Sequence, residues 1–143
     1  MENRVNAVFL NVMVLDDEGI TVDLLVHMLR DMEFADISSF GSAGPALSHL
    51  KRVGADYYDL IICDWHMRGM NGLEFLQSFR AMAPDVPFLM ITGDATKENV
   101  VEAGKAGVSG FIAKPFSRRE LETKVAQLLQ SKLRDDFRDH EPE

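Results

Sequence analysis

The stretch DLIICDWHMRGMNG, Asp59 to Gly72, decides how this chain folds. Its apolar run, Leu60 to Cys63, indicates a buried strand, and a carboxylate, Asp64, follows the run directly. A loop that contains glycine comes next. Asp64 is therefore either a turn residue that ends a strand or a chemical group that a strand holds in place. The residues at the ends of the other strands decide between these two interpretations of Asp64.

Apolar runs alternate with helix-period segments along the chain, and Phe75, Phe79 and Met82 are one example of a helical stripe. Continuous apolar strands joined by helices imply a parallel sheet covered on both faces. Right-handed crossovers then give an α/β fold, a doubly wound three-layer sandwich in which a strand and a helix alternate five times. The predicted strands are Asn11–Leu15, Asp36–Phe40, Tyr58–Cys63, Val86–Thr92 and Gly110–Ala113.

Helices are predicted between these strands. The first has an apolar stripe from Val22 to Met32, and weaker patterns cover Ala43–Val53 and Thr96–Ala106. The last helix should begin after Ser117, which forms an S-x-x-E capping box with Glu120.

Composition limits the class of protein. The 143 residues fit one domain, 46% are hydrophobic, and no apolar run approaches the roughly 20 residues that span a bilayer. The N-terminus lacks a secretory pattern, and the single cysteine, Cys63, excludes an intrachain disulfide. A formal net charge of −8 argues against nonspecific binding to nucleic acid or to an anionic membrane. We expect a cytoplasmic protein with no nucleic-acid partner and no membrane insertion.

The chain divides into three parts. Residues 1–10 form an N-terminal arm, residues 11–131 form the folded domain, and residues 132–143 form an acidic polar tail that we expect to be flexible.

Reactive side chains follow four of the five predicted strands. In an open parallel sheet the ligand site lies beyond the carboxyl ends of the strands, so these side chains should meet at one edge. They are Asp16, Asp17 and Glu18 after the first strand, Asp64 after the third, Thr92 and then Asp94 at the fourth, and Lys114 at the fifth.

Each of these residues has a structural explanation when it is taken alone. Acidic residues cap helices, aspartate and threonine are common at strand ends, and a lysine before proline is usually solvated. The complete set at one edge is much harder to explain in this way, because one kind of chemistry needs all of its members.

Clustered carboxylates resist ionising together, and a hard divalent cation relieves their repulsion. Oxygen ligands with room for water suit Mg²⁺, or Mn²⁺. An aspartate can act as a nucleophile and form an aspartyl phosphate, while a lysine and a hydroxyl bind the other phosphoryl oxygens. The strand ends therefore fit magnesium-dependent phosphoryl transfer.

The motifs VLDD, IICDWHM, MNGLEFL, FLMITG and GVSGFIAKPF occur in this order along the chain. Together they resemble the receiver domain of two-component response regulators, with the stand-alone chemotaxis-type regulators as the nearest kind. The resemblance covers about Val12 to Leu129. It implies a flavodoxin-like fold with a sheet of order 2-1-3-4-5.

The resemblance also implies roles at the site. Asp64 would be the phosphoacceptor and a metal ligand, Asp17 would bind Mg²⁺ directly, and Asp16 would act mainly through water. His66 would offer its backbone carbonyl to the metal. Lys114 would contact the phosphoryl group.

Signalling would depend on a second set of residues. Thr92 would hydrogen-bond the phosphoryl group, and Phe111 would be the aromatic switch. The bond between Lys114 and Pro115 would be cis. The face formed by the fourth helix, the fifth strand and the fifth helix would then change, and a downstream protein would bind it.

Four positions depart from the family pattern or vary within it. Arg68 stands where the family usually has proline, which loosens the expected loop geometry, and Phe111 stands where chemotaxis regulators often have tyrosine. His66 and Asp94 occupy places that tune the phosphoryl lifetime in the family. Their imidazole and carboxylate can pair across the mouth of the site. The alternative is that both are exposed residues with little effect.

The leading hypothesis is a single-domain response regulator that accepts a phosphoryl group from a sensor histidine kinase or a histidine phosphotransfer protein. It would catalyse only its own phosphorylation and dephosphorylation, so it is an enzyme in a loose sense. The alternatives are a phosphate-independent interaction module of the same fold, an aspartate-nucleophile phosphatase and an FMN carrier. The phosphatase would need an Asp where His66 stands, and acidic residues follow the first strand where the carrier would need a phosphate loop.

Overall fold

The structure is a computed structural model that describes residues 9–139, with side chains as far as residue 130. Strands and helices alternate throughout. The strands are β1 (Asn11–Leu15), β2 (Asp36–Phe40), β3 (Leu60–Asp64), β4 (Phe88–Thr92) and β5 (Gly110–Ala113). The helices are α1 (Gly19–Asp31), α2 (Ala43–Val53), α3 (Gly72–Met82), α4 (Lys97–Lys105) and α5 (Arg118–Asp139), and a 3-10 turn covers Ala55–Tyr57.

The strands form one parallel sheet in the order β2-β1-β3-β4-β5. This confirms the predicted doubly wound α/β fold and its strand order. The register brings the ends of β3, β4 and β5 level, because Asp64 pairs with Ile91 and Thr92 pairs with Ala113. The carboxyl ends of the strands therefore share one edge of the sheet.

The alternation of side chains along each strand divides the core into two layers. Val12 and Val14 of β1 pack on one side, with residues of α1 and α5. Met13 and Leu15 point to the other side, where α2, α3 and α4 cover the sheet. Burying one such side chain contributes about 1.5–3 kcal/mol, so the two layers hold the strand ends firmly in place.

The boundaries of two strands differ from the prediction. β3 begins at Leu60 and includes Asp64, in place of the predicted Tyr58–Cys63. Tyr58 fits the apolar pattern of the predicted strand because its ring is buried in the core, although the residue is not part of the strand. β4 begins at Phe88 instead of Val86. Pro87 has no N–H to donate to a neighbouring strand, and it takes part only through its carbonyl, which accepts from Ile61 N–H at 3.0 Å.

The division into arm, domain and tail stays a prediction, and two observations bear on its boundaries. Leu10, the last residue of the predicted arm, is buried in the core, and α5 continues to Asp139, inside the segment expected to be a flexible tail. The rest of the arm at 1–8 and the end of the tail at 140–143 lie outside the described residues. The capping box is confirmed, since Ser117 and Glu120 exchange hydrogen bonds of 3.1 and 3.2 Å. No helix in the described part is long and apolar enough to cross a membrane.

Candidate metal and phosphoryl site

Carboxylates from two strands meet at the carboxyl edge of the sheet. Asp16 follows β1, and Asp64 is the last residue of β3; their exposed fractions are only 2% and 4%. Asp17 is exposed beside them. One oxygen of each of the three carboxylates lies within 4.8 Å of the others. The structure thus brings together the acidic residues that the strand ends predicted.

Gly72 fixes the position of Asp64, although no local pattern marks this glycine as special. The Gly72 N–H donates to the Trp65 carbonyl at 2.7 Å. A Cβ at position 72 would lie 2.4 Å from the Asp64 carbonyl oxygen and 2.8 Å from Trp65 Cα. Backbone atoms cannot yield to such a contact, so only glycine allows the start of α3 to approach the end of β3.

The start of α3 has its own hydrogen-bonded cap. Asn71 Oδ1 accepts from the Glu74 N–H at 2.9 Å, and Glu74 Oε1 accepts from the Asn71 N–H at 3.1 Å. This reciprocal pair satisfies two backbone donors at the helix terminus. Sequence reasoning missed this cap, although the N-x-x-E spacing is visible in the sequence.

Backbone N–H groups orient the carboxylates that follow β1. Asp16 Oδ1 accepts from the Glu18 N–H at 2.9 Å. Asp17 Oδ2 accepts from the Arg68 N–H at 3.1 Å, which links the loop after β1 to the loop after β3. The link needs only the backbone of Arg68, so its side chain is left for other contacts.

Lys114 binds the carboxylates from the other side of the cleft. Its Nζ lies 3.1 Å from Asp16 Oδ2, 3.3 Å from Asp64 Oδ2 and 3.8 Å from Glu18 Oε1. Burial alone would lower the pKa of Lys114, but its hydrogen bond to Asp16 and the charges of Asp64 and Asp16 outweigh burial, and its pKa is raised. Lys114 therefore stays an ammonium. The cis bond to Pro115 is confirmed.

The pKa of Asp64 is also raised. Burial is the main cause, and the negative charge of Asp16 adds to it, while Lys114 and the His66 N–H act in the opposite direction. A single ammonium does not balance the acidic residues around it. The site is therefore short of positive charge.

Thr92, Asp94 and His66 stand on the neighbouring rim. Thr92 is fully buried at the end of β4, and its Oγ1 accepts from the Asp94 N–H at 3.0 Å. His66 Nε2 lies 3.8 Å from Asp94 Oδ2, so the expected pairing across the mouth is present as a contact between two exposed side chains. Such a contact is worth little in stability, and any effect it has should be kinetic.

Phe111 lies in β5, which pairs with β4. β4 in turn pairs with β3, the strand that ends at Asp64. The ring of Phe111 is half-buried and tilted against Trp65, with 6.3 Å between the ring centroids. Trp65 follows Asp64 directly, so these two rings connect the acceptor to β5. Cys63, by contrast, is fully buried, and burial raises the pKa of its thiol well above the ordinary range, which keeps it unreactive.

The donor set suits a hard divalent cation. Two buried carboxylates and one exposed carboxylate offer oxygen ligands within 4.8 Å of one another, and the cleft around them has a volume of about 520 Å³, which leaves room for water. Asp16, Asp17 and Asp64 could hold Mg²⁺, with the carbonyl of His66 in the adjoining loop. Besides the residues that the strand ends predicted, the lining includes Met67, Arg68, Asn71 and Gly93.

A doubly wound sheet with an acidic site at its carboxyl edge, a lysine on the last strand and a buried threonine defines a class of phosphoryl-accepting signalling domains. The chain matches the response regulator receiver domain over residues 12–126 and belongs to this family. It is thus a phosphorylation-dependent module of two-component signalling. Receiver domains bind Mg²⁺ in an acidic pocket, and the aspartate cluster lies in that place here.

Known relatives agree with this assignment. The chain is 32% identical to the chemotaxis protein CheY-3 of Vibrio cholerae serotype O1 over 123 residues, which is 85% of this chain and 92% of the relative. It is 28% identical to the chemotaxis protein CheY of Pseudomonas aeruginosa, covering 85% and 97% of the two chains.

Solved structures show the same fold. The chemotaxis protein CheY4 of Vibrio cholerae superposes with a TM-score of 0.77 at 25% identity, covering 84% of this chain and 98% of that one. A CheY-like receiver domain protein of Methanospirillum hungatei gives a TM-score of 0.79 at 24% identity, covering 87% and 97%.

Proposed function

We propose that Asp64 accepts a phosphoryl group from a phosphohistidine of a sensor histidine kinase or a histidine phosphotransfer protein, in a Mg²⁺-dependent reaction. The observation that carries this proposal is the setting of Asp64. Its carboxylate is 4% exposed but lines an open cleft, with Lys114 Nζ at 3.3 Å. A nearly buried carboxylate at a cleft that also holds a lysine and an acidic cluster is suited to attack an incoming phosphoryl group.

The transfer needs only the groups already described. An Asp64 oxygen forms a bond to phosphorus as the bond from phosphorus to the donor nitrogen breaks, and the nitrogen keeps the electron pair. Lys114 neutralises the phosphoryl oxygens, and the Thr92 hydroxyl, whose oxygen accepts from the Asp94 N–H, can donate its own hydrogen to one of them. Bound Mg²⁺, held by Asp16, Asp17, Asp64 and the His66 carbonyl, would supply further neutralising charge.

Phosphorylation would be communicated through Thr92 and Phe111. Movement of Thr92 toward the phosphoryl group would free space beside β5, and the half-buried ring of Phe111 would turn inward. The face of α4, β5 and α5 would then bind a downstream protein. Val100 and Val101 on α4 are exposed apolar residues that support such a surface. The cytoplasmic location remains a prediction.

Intact mass after incubation with acetyl phosphate tests the chemistry. We expect a gain of one phosphoryl group that requires Mg²⁺ and is lost in Asp64→Ala. A matched control is Asp56→Ala, an exposed aspartate in the 3-10 turn that lies outside the cleft.

Uptake that persists in Asp64→Ala would contradict the assignment of the acceptor. If the native chain takes up nothing from acetyl phosphate or from a phosphorylated histidine kinase, while Trp65 fluorescence reports Mg²⁺ binding, the phosphate-independent module becomes the better account.

A further inference from the structure

Arg68 places a positive charge on the rim of the acidic cleft. Its backbone N–H is bonded to Asp17, and its exposed side chain lines the cleft together with Asp64 and Lys114. In the part of the chain that the structure describes, the guanidinium has no ion-pair or hydrogen-bond partner. It is therefore available to bind an arriving group.

The balance of charges around the cleft indicates which kind of group the Arg68 guanidinium would bind. Four carboxylates line or lie beneath the cleft, and Lys114 Nζ is within 3.8 Å of three of them, Asp16, Glu18 and Asp64. A phosphoryl donor is itself an anion, and the whole chain carries a formal net charge of −8. The cleft therefore repels an approaching donor until a cationic group contacts that donor.

We propose that the Arg68 guanidinium binds the phosphoryl oxygens of the incoming donor before transfer to Asp64. This inference rests on the proposed function and adds a substrate-binding residue to it. A planar guanidinium donates several N–H groups to phosphate oxygens and keeps its charge at any physiological pH. Proline, the usual residue at this position in the family, offers neither property.

The proposal predicts two effects of opposite sign. Removing the guanidinium should weaken binding of an anionic donor, but it should strengthen binding of Mg²⁺ because a nearby like charge is lost. A disturbed loop would weaken both, because Asp17 would lose its orientation. Substitution with alanine keeps the backbone N–H that Asp17 accepts, so it removes the charge selectively.

The experiment compares the native chain with Arg68→Ala, Arg68→Lys and Arg52→Ala. Arg52 is a matched control, an exposed arginine at the far end of α2. The KM for acetyl phosphate is measured by the rate of phosphoryl uptake, and Mg²⁺ affinity is measured separately by Trp65 fluorescence without any donor. For Arg68→Ala we expect a KM about fivefold higher, the size of one exposed charge contact, and a Mg²⁺ dissociation constant about twofold lower. Arg68→Lys keeps the charge but loses the planar set of N–H donors, so its KM should lie between those of the native chain and Arg68→Ala, and Arg52→Ala should change neither quantity.

The outcomes separate this inference from the proposed function. A native chain that is phosphorylated, with an unchanged KM in Arg68→Ala, would overturn the role of Arg68 alone. Weaker Mg²⁺ binding in both Arg68 variants would overturn it in favour of a loop effect. A native chain that takes up no phosphoryl group would overturn both proposals. In the expected case, the difference in KM between the native chain and Arg68→Ala also shrinks at high salt.

Discussion

Two polar networks of the molecule, one on the β2 side of the sheet and one at its carboxyl edge, differ in charge balance. On the β2 side, Tyr58 OH lies 2.7 Å from His49 Nε2 and donates to Ser38 Oγ at 2.8 Å. Hydroxyl and imidazole groups make up this network, and none of them needs to carry a charge. At the carboxyl edge, Asp16 and Asp64 share a single ammonium.

Hydrogen bonding does not distinguish the two places. Within the described residues, every buried polar side-chain atom has a partner. The network near Tyr58 is complete as it stands, so it stabilises the fold and leaves nothing for a ligand to do. The cleft keeps like charges crowded together, so a cation or a phosphoryl group changes its energy. Unbalanced charge, and not polarity alone, marks the functional region.

The largest effect should come from the geometry of the cleft. Gly72→Ala places a Cβ against the Asp64 carbonyl, so we expect a loss of about 3 kcal/mol in the free energy of unfolding and a strong loss of phosphoryl uptake. Urea denaturation and intact mass measure the two. The control is Gly104→Ala in α4, where a Cβ meets nothing within 4 Å, and stability should rise by about 0.5–1 kcal/mol. Equal behaviour of the two variants would contradict the close approach.

Breaking the neutral network should affect stability without affecting function. Tyr58→Phe removes both hydrogen bonds of the hydroxyl, and we expect unfolding to become easier by about 1–2 kcal/mol. Phosphoryl uptake should stay at the native rate. A reduced rate in a folded variant would mean that the two regions are coupled, and the comparison would fail.

Removing the charge of Asp64 should raise the stability of the fold, whereas Gly72→Ala and Tyr58→Phe should lower it. A raised pKa means that Asp64 holds its proton more tightly in the folded chain than in the unfolded chain. Ionisation of Asp64 therefore destabilises the fold as the pH rises above the ordinary value of 3.8. With a metal chelator present, Asp64→Asn should therefore be more stable than the native chain at pH 7. The gain should vanish below pH 3.8. Thermal melts across this pH range measure it, and a destabilised variant at pH 7 would contradict the crowding of charges.

The smallest effect concerns the rim. His66→Ala removes the 3.8 Å contact with Asp94, and we expect the decay rate of the phosphorylated chain to change about two- to fivefold. The decay constant after removal of the donor measures this, with Asp94→Ala as the partner variant. If neither variant differs from the native chain, the two residues are only exposed polar groups.

Features that arise from local patterns are predictable from the sequence. Apolar alternation and the positions of the strand ends are enough to place Asp16, Asp64, Thr92 and Lys114 at one edge of the sheet. The Ser117 cap follows from spacing in the same way. These features depend on residues close together in the chain, or on the general topology of parallel sheets.

Other features depend on contacts between distant backbone segments, which no local pattern reveals. The predicted start of β3 is wrong because tertiary packing buries Tyr58, which lies outside the strand. The predicted start of β4 is wrong because Val86 is apolar but precedes Pro87, and the strand begins only after that proline. The need for glycine at position 72 arises only where α3 meets the Asp64 carbonyl. The guanidinium of Arg68 has no partner among the residues that the structure describes, and this likewise depends on where the other charges of the cleft lie in space.

The central claim is that, among the crowded carboxylates, Asp64 alone receives the phosphoryl group. The most direct measurement is borohydride reduction of the phosphorylated chain, which converts a phosphorylated aspartate to homoserine, followed by peptide sequencing in a mass spectrometer. We expect homoserine at position 64 and unchanged aspartate at positions 16 and 17. Homoserine at Asp16 or Asp17, with Asp64 intact, would contradict it.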